Sequence, residues 1–233
     1  TLFFTGSAGI VSSLGGALFL AAAVVFSVAV TLGASYLLSR TVLRGAPSSF
    51  TLELPPYRRP AIGSVIVRSV LDRTIFVLGR AVAVAAPAGI VIWLLSNIHL
   101  GDASVFSRLT GILDPAGRVF GMDGVILLAF ILGFPANETV IPIMMMGYMG
   151  TATLTEYESL HSLGELLTAN GWTPLTALCV ILFSLMHWPC STTLLTIRRE
   201  TGSASLTALA FLLPTVCGLI ACALVNTVGG WIA

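Results

Sequence analysis

Long apolar runs separated by short polar stretches dominate the hydropathy pattern of this chain. The first run extends from Ile10 to Leu38 and carries no charged residue before Arg40. A helix rises by about 1.5 Å per residue, so a run of this length can cross a hydrocarbon core of about 30 Å. Later apolar stretches are also predicted to be membrane helices: about Ala81 to Ile98, Gly124 to Met149, Pro174 to Met186 and Leu206 to Val228. The pattern predicts an all-α polytopic membrane protein.

Proline disrupts two of these stretches. The string GFPANE at 133–138 lies inside the third stretch, and the fourth runs directly into HWPC at 187–190. A proline lacks an N–H donor and its ring clashes with the preceding turn, so helices are expected to break at Pro135 and Pro189. Irregular backbone is tolerated within a membrane where protein or a water-filled cavity surrounds it. The sequence therefore predicts a transmembrane helix bundle with Pro-broken or re-entrant helices.

A polar connector follows the first span. It covers about Arg40 to Pro60, where several prolines disfavour a helix. From Ile62 to Arg80, charged residues alternate with aliphatic ones, which is typical of a helix lying at the membrane interface. We expect this interfacial helix to lead into the second span.

The arginines predict the orientation of the spans. Seven lie within 40–80 and two more are Arg198 and Arg199, and the positive-inside rule places both segments in the cytoplasm. The loops at 99–123 and 150–171 hold two arginines against six carboxylates and are predicted to lie outside. With both loops on one side, the segment between them either enters the membrane and returns, or crosses it with a break and reverses the later spans.

Composition excludes several classes of protein. Hydrophobic residues form 56% of the chain and charged residues 9%, against about 25% charged residues in soluble domains. All 11 basic residues are arginines, so the GxxxxGK[ST] phosphate loop is absent and no GTP binding by this chain is expected. The HExxH and GxSxG motifs are absent too, so an enzyme is not expected. A formal net charge of +1 provides no basic field for nucleic acid.

One carboxylate, Glu138, stands within an apolar run beside Asn137. A charge at the bilayer centre costs about 2.5–3.5 kcal/mol on insertion scales, so an interaction must offset it. Two interpretations are open. Glu138 is either a cation ligand or proton acceptor at a broken helix, or a residue that caps the N-terminus of a half-helix through the helix dipole.

A second constellation surrounds Pro189. His187 and Cys190 are three residues apart, so on helical geometry they share a face. Imidazole and thiolate ligands suit Fe(II), Zn(II) or Cu(I) better than Mg(II) or Ca(II). The opposing interpretation is that both side chains are interior packing residues.

The two proline breaks are expected to meet near the middle of the membrane and form one metal site. Its predicted ligands and supporting residues are Asn137, Glu138, His187, Cys190 and Ser191. The other cysteines and a run of methionines lack such a context and are predicted to be packing residues: Cys179, Cys217, Cys222 and Met144–Met146.

Three strings resemble the membrane domain of the FeoB ferrous-iron transporters: ELPPYR at 53–58, GFPANE at 133–138 and HWPCSTT at 187–193. Their order and approximate spacing match as well, and the resemblance covers nearly the whole chain. It implies that 1–64 form the first transmembrane helix and the cytoplasmic connector. It also implies that 65–233 form a Gate-like transmembrane module, the second of the family's two.

The same resemblance implies part of a GTP-dependent permease for Fe(II) in a bacterial or archaeal cytoplasmic membrane. Family members join this part to an N-terminal GTPase domain and a first Gate module. The chain is therefore expected to be a C-terminal portion of a longer protein, or to meet those parts in trans, and a homo-oligomer is compatible with either. The cysteine that the family is proposed to use as an iron ligand corresponds to Cys190.

Two other functions stay open. Gate-type modules also resemble nucleoside-recognition membrane proteins, so the transported substrate could be a nucleoside or another divalent metal ion. The chain could instead be a non-conducting assembly or regulatory subunit of a membrane complex.

Overall fold

The computed structural model describes residues 10–41, 63, 67, 75–101, 103–150 and 160–232. Apolar α-helices dominate these ranges, and the all-α prediction is confirmed. The helices are α1 (Ile10–Thr41), α2 (Phe76–Asn97), α3 (Val105–Val119), α4 (Gly124–Leu132), α5 (Val140–Met149), α6 (Leu160–Ala169), α7 (Pro174–Met186), α8 (Ser191–Thr201) and α9 (Ala204–Ile232). A two-residue antiparallel ladder pairs β1 (His99–Leu100) with β2 (Ala103–Ser104), and a 3-10 turn covers Asn137–Thr139.

Within the described ranges, three helical stretches are long and apolar enough to cross a bilayer. They are Leu14–Thr41 in α1, Pro174–Thr201, which joins α7 and α8, and Ala204–Trp231 in α9. Helices α3 and α4 pass the same test as a pair but are bent by 106°. A polytopic membrane fold with broken spans is thus confirmed.

The second predicted span forms as α2, a helix of 22 residues that continues through Pro87. The predicted connector, Arg40–Pro60, begins with the last two residues of α1, and the rest of it lies outside the described residues. Most of the predicted interfacial helix, Ile62–Arg80, lies outside them too.

Much of the loop predicted at 99–123 is instead helix α3. Ser104 caps its first turn, because its Oγ accepts a hydrogen bond from the Ser107 N–H at 3.1 Å. Polar and apolar residues alternate around this helix with helical spacing, so it is amphipathic without containing an apolar run. Near its far end, the carbonyls of Arg118 and Val119 accept bonds from Asn226 Nδ2 at 2.9 and 3.2 Å. Helix α3 therefore lies across one end of the bundle.

Helices α4 and α5 form an antiparallel hairpin. At its open end Tyr148 Oη donates to Asp123 Oδ2 at 2.6 Å, and a Cβ on Gly147 would lie 2.7 Å from Val125 Cγ1. An antiparallel hairpin is the chain path that the topology entering the membrane and returning requires. Helix α4 has 9 residues and is about 14 Å long, which is about half of a hydrocarbon core.

Helix α9 packs antiparallel to α7. Gly229, near the end of α9, lies against Leu175 at the start of α7, and a Cβ on Gly218 would lie 3.2 Å from Phe183 Cδ2. Between these points the Cys222 thiol donates to the Cys179 carbonyl at 3.3 Å, and the Cys179 thiol lies 3.8 Å from the Cys222 carbonyl. Both cysteines are fully buried, which confirms their predicted packing role.

The core lies where α4, α5, α7 and α9 meet. Met144, Met145 and Met146 are buried in it, as predicted. Phe130 of α4 and Phe183 of α7 are also buried and meet edge to face, with ring centroids 4.7 Å apart. These two rings form part of the wall behind the helix breaks.

Candidate ion site at the helix breaks

The break between α7 and α8 places HWPC in extended backbone. Helix α7 ends at Met186 and α8 begins at Ser191, with ψ at 179° for His187 and 158° for Cys190. The cause is Pro189, which has no N–H for the helix ladder and disfavours helical backbone in the residue before it. The expectation that His187 and Cys190 share a helix face is therefore wrong.

The second break forms the tip of the α4–α5 hairpin. Helix α4 ends at Leu132, the chain passes through Pro135, and the 3-10 turn Asn137–Thr139 leads into α5. Thr139 Oγ1 donates to the Ala136 carbonyl at 2.7 Å and so holds the turn. The break expected at Pro135 is present.

The two breaks are in contact. The Ser191 N–H at the start of α8 donates to the Phe134 carbonyl at the hairpin tip, at 3.2 Å. Rings pack around this bond: the ring centroids of Phe130 and His187 are 5.3 Å apart, and Phe211 of α9 packs against Phe134 at 5.9 Å. The hairpin tip and the HWPC segment thus form one region.

His187 is held in a tautomer that can bind a metal. Its Nδ1 lies 2.9 Å from the Ser184 carbonyl oxygen. A carbonyl can only accept, so Nδ1 carries the proton and Nε2 presents a lone pair. Metal-binding histidines commonly donate their other N–H to a carbonyl in this way.

Four buried polar atoms at these breaks have no hydrogen-bond partner within the described part of the chain. They are Asn137 Oδ1, His187 Nε2, Trp188 Nε1 and Ser191 Oγ. An unpaired buried donor or acceptor costs about 1–3 kcal/mol, so natural proteins keep few of them without a reason such as water or an ion. Sequence reasoning missed Trp188, because an aromatic residue inside a membrane helix is ordinarily a packing residue.

Cys190 lies in a polar environment. It is half-buried at the N-terminal cap position of α8, and its Sγ lies 3.1 Å from both Thr192 Oγ1 and Thr193 Oγ1. Two hydroxyls against the sulfur do not suit a purely hydrophobic packing role. The thiol therefore stays available as a soft ligand beside the break.

Glu138 lies apart from these groups. It is exposed on the 3-10 turn that precedes α5. Over the described ranges, no group of three or more His, Cys, Asp or Glu residues is arranged to hold a metal ion, so Glu138, His187 and Cys190 do not form one cluster. A carboxylate just before α5 fits the helix-dipole interpretation.

A cavity of about 290 Å³ reaches His187 from the side of α1. Apolar residues of α1, α7 and α9 form most of its walls, and its polar lining includes Thr31, Ser35 and Cys217. His187 therefore borders open space as well as the packed break.

The chain matches two protein families. The Gate family, described as nucleoside recognition, matches residues 69–204. The family described as ferrous iron transport protein B C terminus matches residues 20–72.

Curated relatives carry the name Fe(2+) transporter FeoB. The one from Staphylococcus aureus (strain MSSA476) is 30% identical over 193 residues, which are 78% of this chain and 27% of the relative. The one from Leptospira biflexa is 26% identical over 208 residues, 82% of this chain and 30% of the relative. The one from Methanocaldococcus jannaschii is 28% identical over 182 residues, 72% of this chain and 26% of the relative. The chain thus spans less than a third of the length of these relatives, and no solved structure matches it.

Proposed function

The chain belongs to the Gate family and corresponds to the C-terminal membrane part of FeoB proteins, and from this premise we propose that it forms part of a permeation path for ferrous iron. One observation carries the proposal: buried polar atoms without protein partners lie where two helix breaks meet. A water-filled or ion-filled path is a setting in which irregular backbone and unpaired polar groups persist at membrane depth.

The chemistry of these groups favours Fe(II) over hard cations. His187 offers an imidazole nitrogen and Cys190 a sulfur, and Asn137 and Ser191 add neutral oxygens. Nitrogen and sulfur ligands suit first-row transition metals, whereas Mg(II) and Ca(II) prefer carboxylates, carbonyls and water. A site with few charged ligands binds weakly, and conduction requires an ion that leaves as readily as it enters.

The wider organisation follows the family. In this proposal 1–64 form a transmembrane helix and connector and 65–233 form the Gate-like module. A GTPase domain and a first Gate module would be supplied by a longer polypeptide or by partner chains. The segments rich in arginine would face the cytoplasm of a bacterial or archaeal cell, with the protein in its cytoplasmic membrane.

Substitution of the two soft ligands should abolish most iron uptake. The test protein is the Staphylococcus aureus relative with its matching C-terminal part replaced by this chain. In this chimera, Cys190→Ser and His187→Ala are each expected to lower the rate of Fe(II) uptake by about 10-fold or more at limiting Fe(II) concentration. A 10-fold loss corresponds to about 1.4 kcal/mol of ion-binding free energy. The measurement is the initial rate of radioactive Fe(II) uptake in a host without its own iron importers.

Two matched controls separate the site from general damage. Cys222→Ser, which keeps a donor for the Cys179 carbonyl, and His99→Ala remove the same chemical groups away from the breaks and are expected to retain uptake. A membrane-inserted, folded chimera that carries labelled nucleoside instead of iron would refute the proposed function. Uptake by both site variants at the control rate would refute the site.

Replacement of Glu138 should have a smaller effect of a different kind. Because its carboxylate is exposed and outside any ligand cluster, we propose that it attracts cations to the path through its field. Glu138→Gln is expected to lower uptake by about 2- to 5-fold at low ionic strength and to have little effect at high salt, since salt screens such fields. A loss that is equally large at both salt concentrations would indicate direct ligation.

A further inference from the structure

The indole ring of Trp188 is clamped by other aromatic rings. It stacks on Phe211 with centroids 5.6 Å apart and an interplanar angle of 22°. Phe183 and His187 meet it edge to face, each with centroids 5.8 Å away. Contacts on its face and its edges restrict rotation of the side chain, so the direction of its N–H is largely set by packing.

That N–H is buried and faces no protein acceptor among the described residues. An indole nitrogen can only donate, so it cannot ligate a cation. Leaving such a donor unpaired in a low-dielectric interior is costly, and its partner must supply a lone pair.

The other unpaired atoms at the two breaks show what kind of partner fits. Asn137 Oδ1 and His187 Nε2 are acceptors, and Ser191 Oγ can donate or accept. The lone pairs of the acceptor atoms repel an anion, and the partly positive N–H of Trp188 repels a bare cation. Water satisfies both, because one lone pair can coordinate an ion, the other can accept from an N–H, and its hydrogens can reach acceptors.

We propose that Trp188 is a positioning residue that binds a water molecule in the hydration shell of the permeating ion. This inference rests on the proposed function of the breaks. The ion then passes the breaks partly hydrated, held by a few direct ligands and by water that the protein orients. Such an arrangement lowers the cost of dehydration and keeps the site weak enough to release the ion.

The first test is Trp188→Phe in the chimeric transporter, which keeps an aromatic ring against Phe211 and removes the donor. The KM for Fe(II) is expected to rise by about 3- to 10-fold, which corresponds to loss of one hydrogen bond, while the maximal rate changes less. Trp93→Phe is the control, because Trp93 lies on the exposed face of α2 and is 55% exposed. Its KM is expected to match that of the unmodified chimera.

The second test detects the water without measuring transport. The chain contains four tryptophans, so the indole N–H resonance of Trp188 can be assigned by its loss in Trp188→Phe. With the full chain in lipid nanodiscs, this proton is expected to show nuclear cross-relaxation with water. The resonance is also expected to shift when Zn(II), a diamagnetic substitute for Fe(II), is added.

The outcomes separate the two proposals. A transporting chimera whose Trp188→Phe variant keeps its KM, or a Trp188 N–H without contact to water, overturns the role of Trp188 and leaves the proposed function intact. A folded chimera that carries no iron overturns the proposed function, and the role of Trp188 in ion passage with it.

Discussion

Alanine at Gly124 is expected to destabilise the protein by about 3 kcal/mol or more, at the upper end of overpacking effects. Gly124 opens α4, where this helix meets α3 at a 106° bend. An added Cβ would overlap the Thr110 carbonyl and lie 2.9 Å from the Asp114 nitrogen. Both are backbone atoms of α3, so no side-chain rotation can relieve the overlap. Moving α4 away would break the bond from the Gly124 N–H to Asp114 Oδ1, which is 3.2 Å long.

Gly111→Ala is the matched control for this prediction. Gly111 lies in the same helix as Thr110, and nothing lies within 4 Å of the Cβ that alanine would add. Alanine there should be neutral or stabilise the helix by up to about 1 kcal/mol, because it is the better helix former. Thermal unfolding of both variants in one detergent measures the difference. A Gly124→Ala protein with the Tm of the unmodified chain would contradict the close approach of α3 and α4.

Alanine at Asp123 is expected to cost about 2–4 kcal/mol by releasing the open end of the hairpin. The carboxylate has two roles: Oδ1 caps α4 by accepting from the Ile126 N–H at 2.7 Å, and Oδ2 accepts from Tyr148 Oη at 2.6 Å. Loss of a helix cap costs about 0.5–2 kcal/mol, and loss of a hydrogen bond to a charged group about 1.5–3 kcal/mol. The Tyr148 oxygen also accepts a hydrogen bond from Trp172 Nε1 at 2.8 Å. Trp172 lies just before α7, so a Tyr148 side chain released from Asp123 also weakens the contact between the hairpin and the start of α7.

Two further variants divide this effect. Asp123→Asn retains an acceptor for the cap and should cost about 1 kcal/mol, whereas Tyr148→Phe removes the hydroxyl and leaves the cap. A double-mutant cycle of Asp123→Ala with Tyr148→Phe is expected to show a coupling energy of about 1 kcal/mol or more. Strict additivity of the two unfolding free energies would mean that the bond between them does not stabilise the hairpin.

Hairpin stability bears directly on the candidate site. The open end of the hairpin is held by Asp123 and Tyr148, and its tip by the bond from the Ser191 N–H to the Phe134 carbonyl. We expect a hairpin that is free at its open end to move relative to α7, which would separate its tip from HWPC. Asp123→Ala is therefore expected to reduce iron uptake even though Asp123 lies far along the chain from both breaks.

The sequence by itself determined the spans, the two breaks and the family. Lipid cannot satisfy backbone polar groups, so long apolar runs must form helices, and a proline in the interior of a helix removes a backbone hydrogen bond. Both effects act on contiguous residues and can be recognised in a single segment. The strings GFPANE and HWPCSTT can likewise be recognised within single segments. The family that they indicated agrees with the family matches of the chain.

The tertiary structure decided which groups meet. Proline predicts that a helix breaks but not how the backbone continues. Here His187 and Cys190 have extended backbone, so they do not share the helix face on which they were expected. Glu138 is exposed and does not cluster with His187 and Cys190, whereas Trp188 is among the residues with unpaired polar atoms. Helix α5 returns beside α4 with a hydrogen bond from Tyr148 to Asp123 at the open end. The two breaks meet through the hydrogen bond from the Ser191 N–H to the Phe134 carbonyl. These contacts join residues far apart in the chain, and only the packing of whole helices brings them together.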